Sequence, residues 1–100
     1  MTRIVIVAKN GGDLLQDTQA SEVVLSQPSV VQIGVTKDAV ESITREGNNV
    51  VIVLKNGEVI TLNGFFKADH SLVLNSNNEL LWVRFTDEQG VFLDPIVYSN

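Results

Sequence analysis

Apolar and polar positions alternate in short bursts along this chain, and turn residues cut the bursts apart. Runs rich in Val and Ile occupy residues 4–8, 22–25, 30–35, 50–55, 58–62, 72–74, 80–85 and 91–98. Between them lie Asn10-Gly11-Gly12, Gln27-Pro28, Gly47-Asn48-Asn49, Asn56-Gly57, the Asn-rich stretch 75–78 and Gln89-Gly90. Short β-branched runs at this spacing predict the strands of a sandwich or small barrel. No segment keeps a 3.6-residue apolar period, so the predicted class is all-β: a small antiparallel β-sandwich or partly open barrel. One helical turn is predicted at Asp38, with Glu41 three residues on completing a capping box. Residues 9–21 are polar and weakly patterned, and are read as a loop or covering arm.

The strongest local signal is "VVIVLKNGEVITL", residues 50–62. Asn-Gly between two apolar runs predicts a tight hairpin, because both residues tolerate the positive φ of a type I′ turn. A two-residue loop would set Lys55 against Glu58, Leu54 against Val59, Val53 against Ile60, Ile52 against Thr61 and Val51 against Leu62. Both faces of that hairpin are largely apolar, which predicts a place at the centre of the domain. Phe65 and Phe66 follow it. On an extended strand they leave in alternate directions, one into the core and the other toward a second layer or a partner; packing of both into the core is the simpler expectation.

A second hairpin is predicted over residues 72–85, turning at 75–78. In "ELLWVRF", Leu81, Val83 and Phe85 share one face, and Leu80, Trp82 and Arg84 share the other. Trp82 is expected in the core, with stacking on Arg84 or an exposed contact as alternatives. The terminal segments 4–8 and 96–98 are expected at sheet margins. An exposed margin pairs readily with another strand, so a reversible self-association is expected, with Val5 as its probe. The candidate interaction surface is therefore Trp82, Arg84, Val5 and Tyr98.

Composition narrows the function. With 100 residues the chain reads as one domain, residues 1–100, and at 44% hydrophobic it can fill one core. Without cysteine there is no disulfide framework, thiolate zinc site or cysteine nucleophile. A net charge of −5, with seven basic residues scattered singly, argues against nucleic acid and anionic membranes as partners. No run approaches the ~20 apolar residues that span a bilayer. The opening "MTRIVIVAKN" has too short an apolar run for a signal peptide and reads as a strand. The ending "DPIVYSN" has no polar tail, which predicts that the chain is a lead-in to a longer protein.

Candidate chemistry is sparse. Asp69-His70-Ser71 spells a catalytic triad, but alternate residues of an extended chain face opposite sides. Asn75, Asn77 and Glu79 alternate like calcium ligands, yet Leu80 stands where the motif needs glycine. Asp87, Glu88 and Asp94 match no calcium motif and read as a solvated rim. "AKNGGD" lacks the spacing of a phosphate loop. No catalytic, cofactor-binding or metal residue is assigned, no cofactor is expected, and weak calcium binding is not expected.

One combination of pieces is specific. "QPSVV" at 27–31, the acidic turn 38–41, "REGN" at 45–48, "LKNGE" at 54–58 and the Phe65-Phe66 pair, with "NELLWVRFTDEQG" following, resemble the BapA prefix-like domain of bacterial biofilm-associated surface adhesins. The resemblance covers residues 3–94. It implies a non-catalytic, β-rich N-terminal module followed in the parent protein by Ig-like repeats and exported by type I secretion. It implies a location at the cell surface or outside the cell, or in the periplasm and outer-membrane pore where an N-terminus is retained. It also implies a role in biofilm formation, with surface anchoring, retention or adhesin assembly as the task. Implied partners are copies of the same chain or other cell-surface components. Some related adhesins are released by cleavage at a di-alanine, which this chain lacks. The alternative function is a carbohydrate- or ligand-binding β-module.

Overall fold

The computed structural model describes residues 2–76, 79–86, 89 and 92–99. Among the described residues ten strands run in chain order: β1 (Ile4–Ala8), β2 (Leu14–Thr18), β3 (Glu22–Val24), β4 (Ser29–Ile33), β5 (Val40–Glu46), β6 (Asn49–Leu54), β7 (Val59–Asn63), β8 (His70–Ser76), β9 (Glu79–Thr86) and β10 (Phe92–Ser99). They form a six-stranded sheet, β10-β9-β8-β4-β1-β2, and a four-stranded sheet, β3-β7-β6-β5. The two pack face to face as a sandwich rather than closing into a barrel. Each sheet is mixed: β4 runs parallel to β8, and β3 parallel to β7.

Alternation explains the core. β1 and β4 each bury every second residue, as expected of strands with one face on a core. Ile4, Ile6, Val31, Ile33, Leu72, Leu74 and Val83 come from the large sheet. They meet Val23, Ile43, Val50, Ile52, Leu54, Ile60 and Leu62 from the small one.

The Asn-Gly hairpin is present and its strands are central in the small sheet, but its register is one residue from that of a two-residue loop. Val53 faces Val59, Ile52 faces Ile60, Val51 faces Thr61 and Val50 faces Leu62. The Gly57 amide donates to the Leu54 carbonyl at 2.9 Å, and the Leu54 amide to the Glu58 carbonyl at 2.8 Å. That closes a three-residue loop, Lys55-Asn56-Gly57, with Gly57 at φ +95° in the bulge position. Asn56 Oδ1 accepts from the Glu58 amide at 2.9 Å and holds the bend. The slip reassigns the faces. Val50, Ile52, Leu54, Ile60 and Leu62 are buried together, while Val51 and Val53 are half-buried outside and Val59 is exposed.

Three other expectations change. Residues 9–21 are not only an arm: after the turn at Gly11 and Gly12 the chain returns as β2, paired antiparallel with β1. This places β1 between β4 and β2, so the expected margin at residues 4–8 is an interior strand, and Val5 is half-buried on it. The margin expected at 96–98 stands, since β10 ends the large sheet. The Asp38 capping box does not form. Residues Lys37–Ala39 make a single 3-10 turn after Thr36, which offers no side-chain cap, and the chain enters β5 at Val40. The β-branched Val40, Ile43 and Thr44 suit a strand, and Ile43 reaches the core.

Candidate functional site

The aromatic pair is built by a glycine. Gly64 sits at φ +82°, and a Cβ there would lie 3.3 Å from the Leu25 carbonyl oxygen. This left-handed residue ends β7 and starts a 3-10 turn, Phe65–Lys67. The Gly64 amide donates to Asn49 Oδ1 at 3.0 Å, and the Phe66 amide to the Asn48 carbonyl at 3.0 Å. The pair therefore leaves the hairpin on a turn, not on an extended strand. Phe65 is buried and Phe66 half-buried against the same core. Phe65, Phe66 and Phe85 form a triangle of edge-to-face rings with centroids 5.1 to 5.4 Å apart. The Arg45 guanidinium covers the outer face of this cluster, 5.1 Å from the Phe66 centroid.

Beside the cluster opens a cavity of about 340 Å³, lined among others by His70, Ser71, Trp82 and Arg84. Trp82 is 47% exposed, so it stands outside the core. The inner face of β9 carries Leu81, Val83 and Phe85, which leaves Trp82 on the opposite face with no second sheet to cover it. This corrects the expected core position of Trp82; the alternative, stacking on Arg84, is what forms, with the guanidinium 5.3 Å from the Trp82 ring centroid. Of the candidate interaction surface, the structure thus brings Trp82 and Arg84 together at one cavity. Val5 lies elsewhere, by a shallow recess with Arg3, Gln32 and Asn75. Tyr98 pairs with Val83 through the backbone, and its side chain lies outside the described part.

The triad letters are engaged otherwise. His70 Nδ1 lies 2.9 Å from the Phe65 carbonyl, and Nε2 lies 2.9 Å from the Gln27 carbonyl. Neither ring nitrogen addresses Ser71 or Asp69. Asp69 pairs with Lys9 at 3.1 Å. The histidine sits between the 3-10 turn and the segment before β4, one ring nitrogen within hydrogen-bond distance of a main-chain carbonyl on each. Sequence reasoning missed this, because the partners are main-chain oxygens and carry no residue signature.

Among the described residues, no cluster of three or more metal-ligating side chains forms. Asn77 and the Asp87-Glu88 pair lie outside the described residues, as does the Asp94 side chain. Among the described residues no helix is long and apolar enough to cross a membrane. Charge is managed locally. Arg3 binds Asp17 through two hydrogen bonds, of 2.9 and 2.7 Å. That pairing raises the arginine pKa and lowers that of the aspartate.

An exposed Trp–Arg stack beside a partly polar cavity can hold the flat face of a ligand. Neither a curated protein nor a solved structure significantly matches the chain. The model of the BapA prefix-like domain matches residues 1–99, and the chain belongs to this family of adhesin N-terminal domains.

Proposed function

We propose that this domain is a non-catalytic N-terminal module of a type I secreted biofilm-associated adhesin, and that it helps retain or assemble the adhesin at the cell surface. The match over residues 1–99 carries this reading. The adhesin family points to a surface or extracellular location. The all-β sandwich is compatible with a module that leads into Ig-like repeats. The test is deletion of the domain from the parent adhesin in its own cell. Surface-bound and released adhesin are then quantified, together with biofilm mass. Loss of the surface-bound fraction, with the protein still synthesised and exported, supports the reading. Unchanged surface retention and biofilm would overturn it.

The exposure of Trp82 favours a second reading, a saccharide-binding patch at Trp82 and Arg84. Trp82 is the only tryptophan, so its fluorescence reports the patch directly. Titration with alginate, an acidic polysaccharide, and with dextran, a neutral one, tests it. Saturable quenching that is lost in Arg84→Ala would support an acidic glycan. No change with either polymer would remove this reading and leave the first intact.

A further inference from the structure

We propose that the β2 edge is a docking site for an extended peptide strand from another polypeptide. That strand carries basic residues and inserts one side chain with an apolar stem and a hydroxyl or amide end. The proposal is independent of the Trp82 patch.

Three observations converge there. First, β2 ends the large sheet, so the hydrogen-bonding groups along its outer side have no strand partner. Second, a cavity of about 180 Å³ opens beside it, walled by Ile6, Leu15 and Val24. Cavities of about 150 Å³ hold a benzene-sized group, so one side chain fits. Third, Ser29 lies at this cavity with 1% of its surface exposed. Its Oγ has no hydrogen-bond partner, and it is the one buried side-chain polar atom so left among the described residues.

Strand addition needs these parts. Main-chain bonds to a free edge supply affinity, and a pocket beside the edge reads alternate side chains. Gln16 pairs with the buried Ile6, so β2 turns Gln16 toward the gap between the sheets. A strand added outside β2 would direct every second residue into the same gap, above Val24 of β3. A wholly apolar side chain would fill the cavity but leave the Ser29 hydroxyl unpaired, a buried group that costs free energy when orphaned. A threonine, glutamine or asparagine satisfies both the walls and the floor.

Apolar surface and charge identify the occupant further. Val24 is 66% and Leu15 38% exposed at the cavity, while Leu14, 61% exposed, pairs with Val7 on the outer face of the same edge. Asp13, Asp17 and Glu22 are exposed around it. Arg3 answers Asp17, but Asp13 has no ion pair among the described residues. A second copy would bring the same carboxylates against one another, whereas a basic strand complements them.

A library of random ten-residue peptides displayed on phage, selected on the wild-type domain, tests the proposal. Expected are enriched peptides without proline, with Lys or Arg near the ends and Thr, Gln or Asn within a β-branched run. Binding of the synthesised peptides should slow amide hydrogen exchange at residues 14–18 by tenfold or more. It should weaken at least tenfold in Ser29→Val, which removes the hydroxyl and narrows the cavity. If Ser29→Val does not fold, Leu15→Lys, which charges the pocket wall, should show the same loss. Failure to enrich any peptide would overturn the proposal. So would protection confined to β5 or to the Trp82 face, unaltered affinity in both variants, or a peptide-free dimer that already protects residues 14–18.

Discussion

Glu58, at the end of the hairpin loop in the small sheet, accepts two hydrogen bonds from Thr2, just before β1 in the large one. The Thr2 hydroxyl lies 2.7 Å from Oε1 and the Thr2 amide 3.2 Å from Oε2. These bonds tie the two sheets together across 56 residues of chain. The Thr2 hydroxyl, then its amide, lowers the Glu58 pKa against the opposing effect of desolvation.

A carboxylate whose pKa is lower folded than unfolded adds stability above its unfolded pKa and loses it as pH falls through the folded value. Glu58→Gln should therefore be less stable than wild type at neutral pH, by at most about 1 kcal/mol for partly solvated bonds. The difference should vanish in acid. Thermal melts from pH 7 down through the carboxylate range check this; a constant difference at every pH would show that the charge is irrelevant.

Gly57 occupies a left-handed bulge position that other residues enter at a cost of roughly 1–3 kcal/mol. Gly57→Val should lower stability by that amount, with the denaturant midpoint reduced and the slope unchanged. Asn56→Ala should cost less, since it removes one side-chain bond and leaves the backbone geometry in place. Equal losses in the two variants would contradict the bulged loop.

Phe65 and Phe66 are adjacent in sequence and unequal in burial. Phe65→Ala should cost about 3–5 kcal/mol, as for other buried aromatic truncations. Phe66→Ala should cost less, because its ring is partly open and covered by Arg45 rather than enclosed. Urea unfolding of the two variants gives the order directly, and a larger loss for Phe66 would reverse the assignment.

Ser29→Ala removes a hydroxyl that has no partner in the free domain. Its stability should match or exceed wild type, by up to about 1 kcal/mol, since a buried unpaired polar group is destabilising. A clear loss of stability would mean that the hydroxyl is already bonded in the free domain.

Trp82→Ala should leave stability within about 1 kcal/mol of wild type, because the ring is not part of the core. A loss comparable to that of Phe65→Ala would place the ring inside. In the wild type, acrylamide should quench Trp82 readily.

Most strand positions were legible in the chain because the Val- and Ile-rich runs had to bury one face, and turn residues bounded them. The central hairpin was legible for the same reason, as was the core face of Leu81, Val83 and Phe85. Its register was not. Asn-Gly serves a two-residue or a three-residue loop equally well, and the choice came from which face, Ile52 with Ile60 or Val53 with Ile60, the opposite sheet would accept. β2 was invisible because "LLQDT" has no alternation; it is a strand because β1 offers it a ladder, not because its side chains need burial. The candidate sites divide along the same line. The Trp82–Arg84 stack is local to one strand, two residues apart on one face, and was legible as the alternative to a buried Trp82, which the absence of a covering sheet decided. The Ser29 cavity could not be. An ordinary serine became an orphaned hydroxyl beside a free edge only when β1, β2 and the segment after β3 met around it.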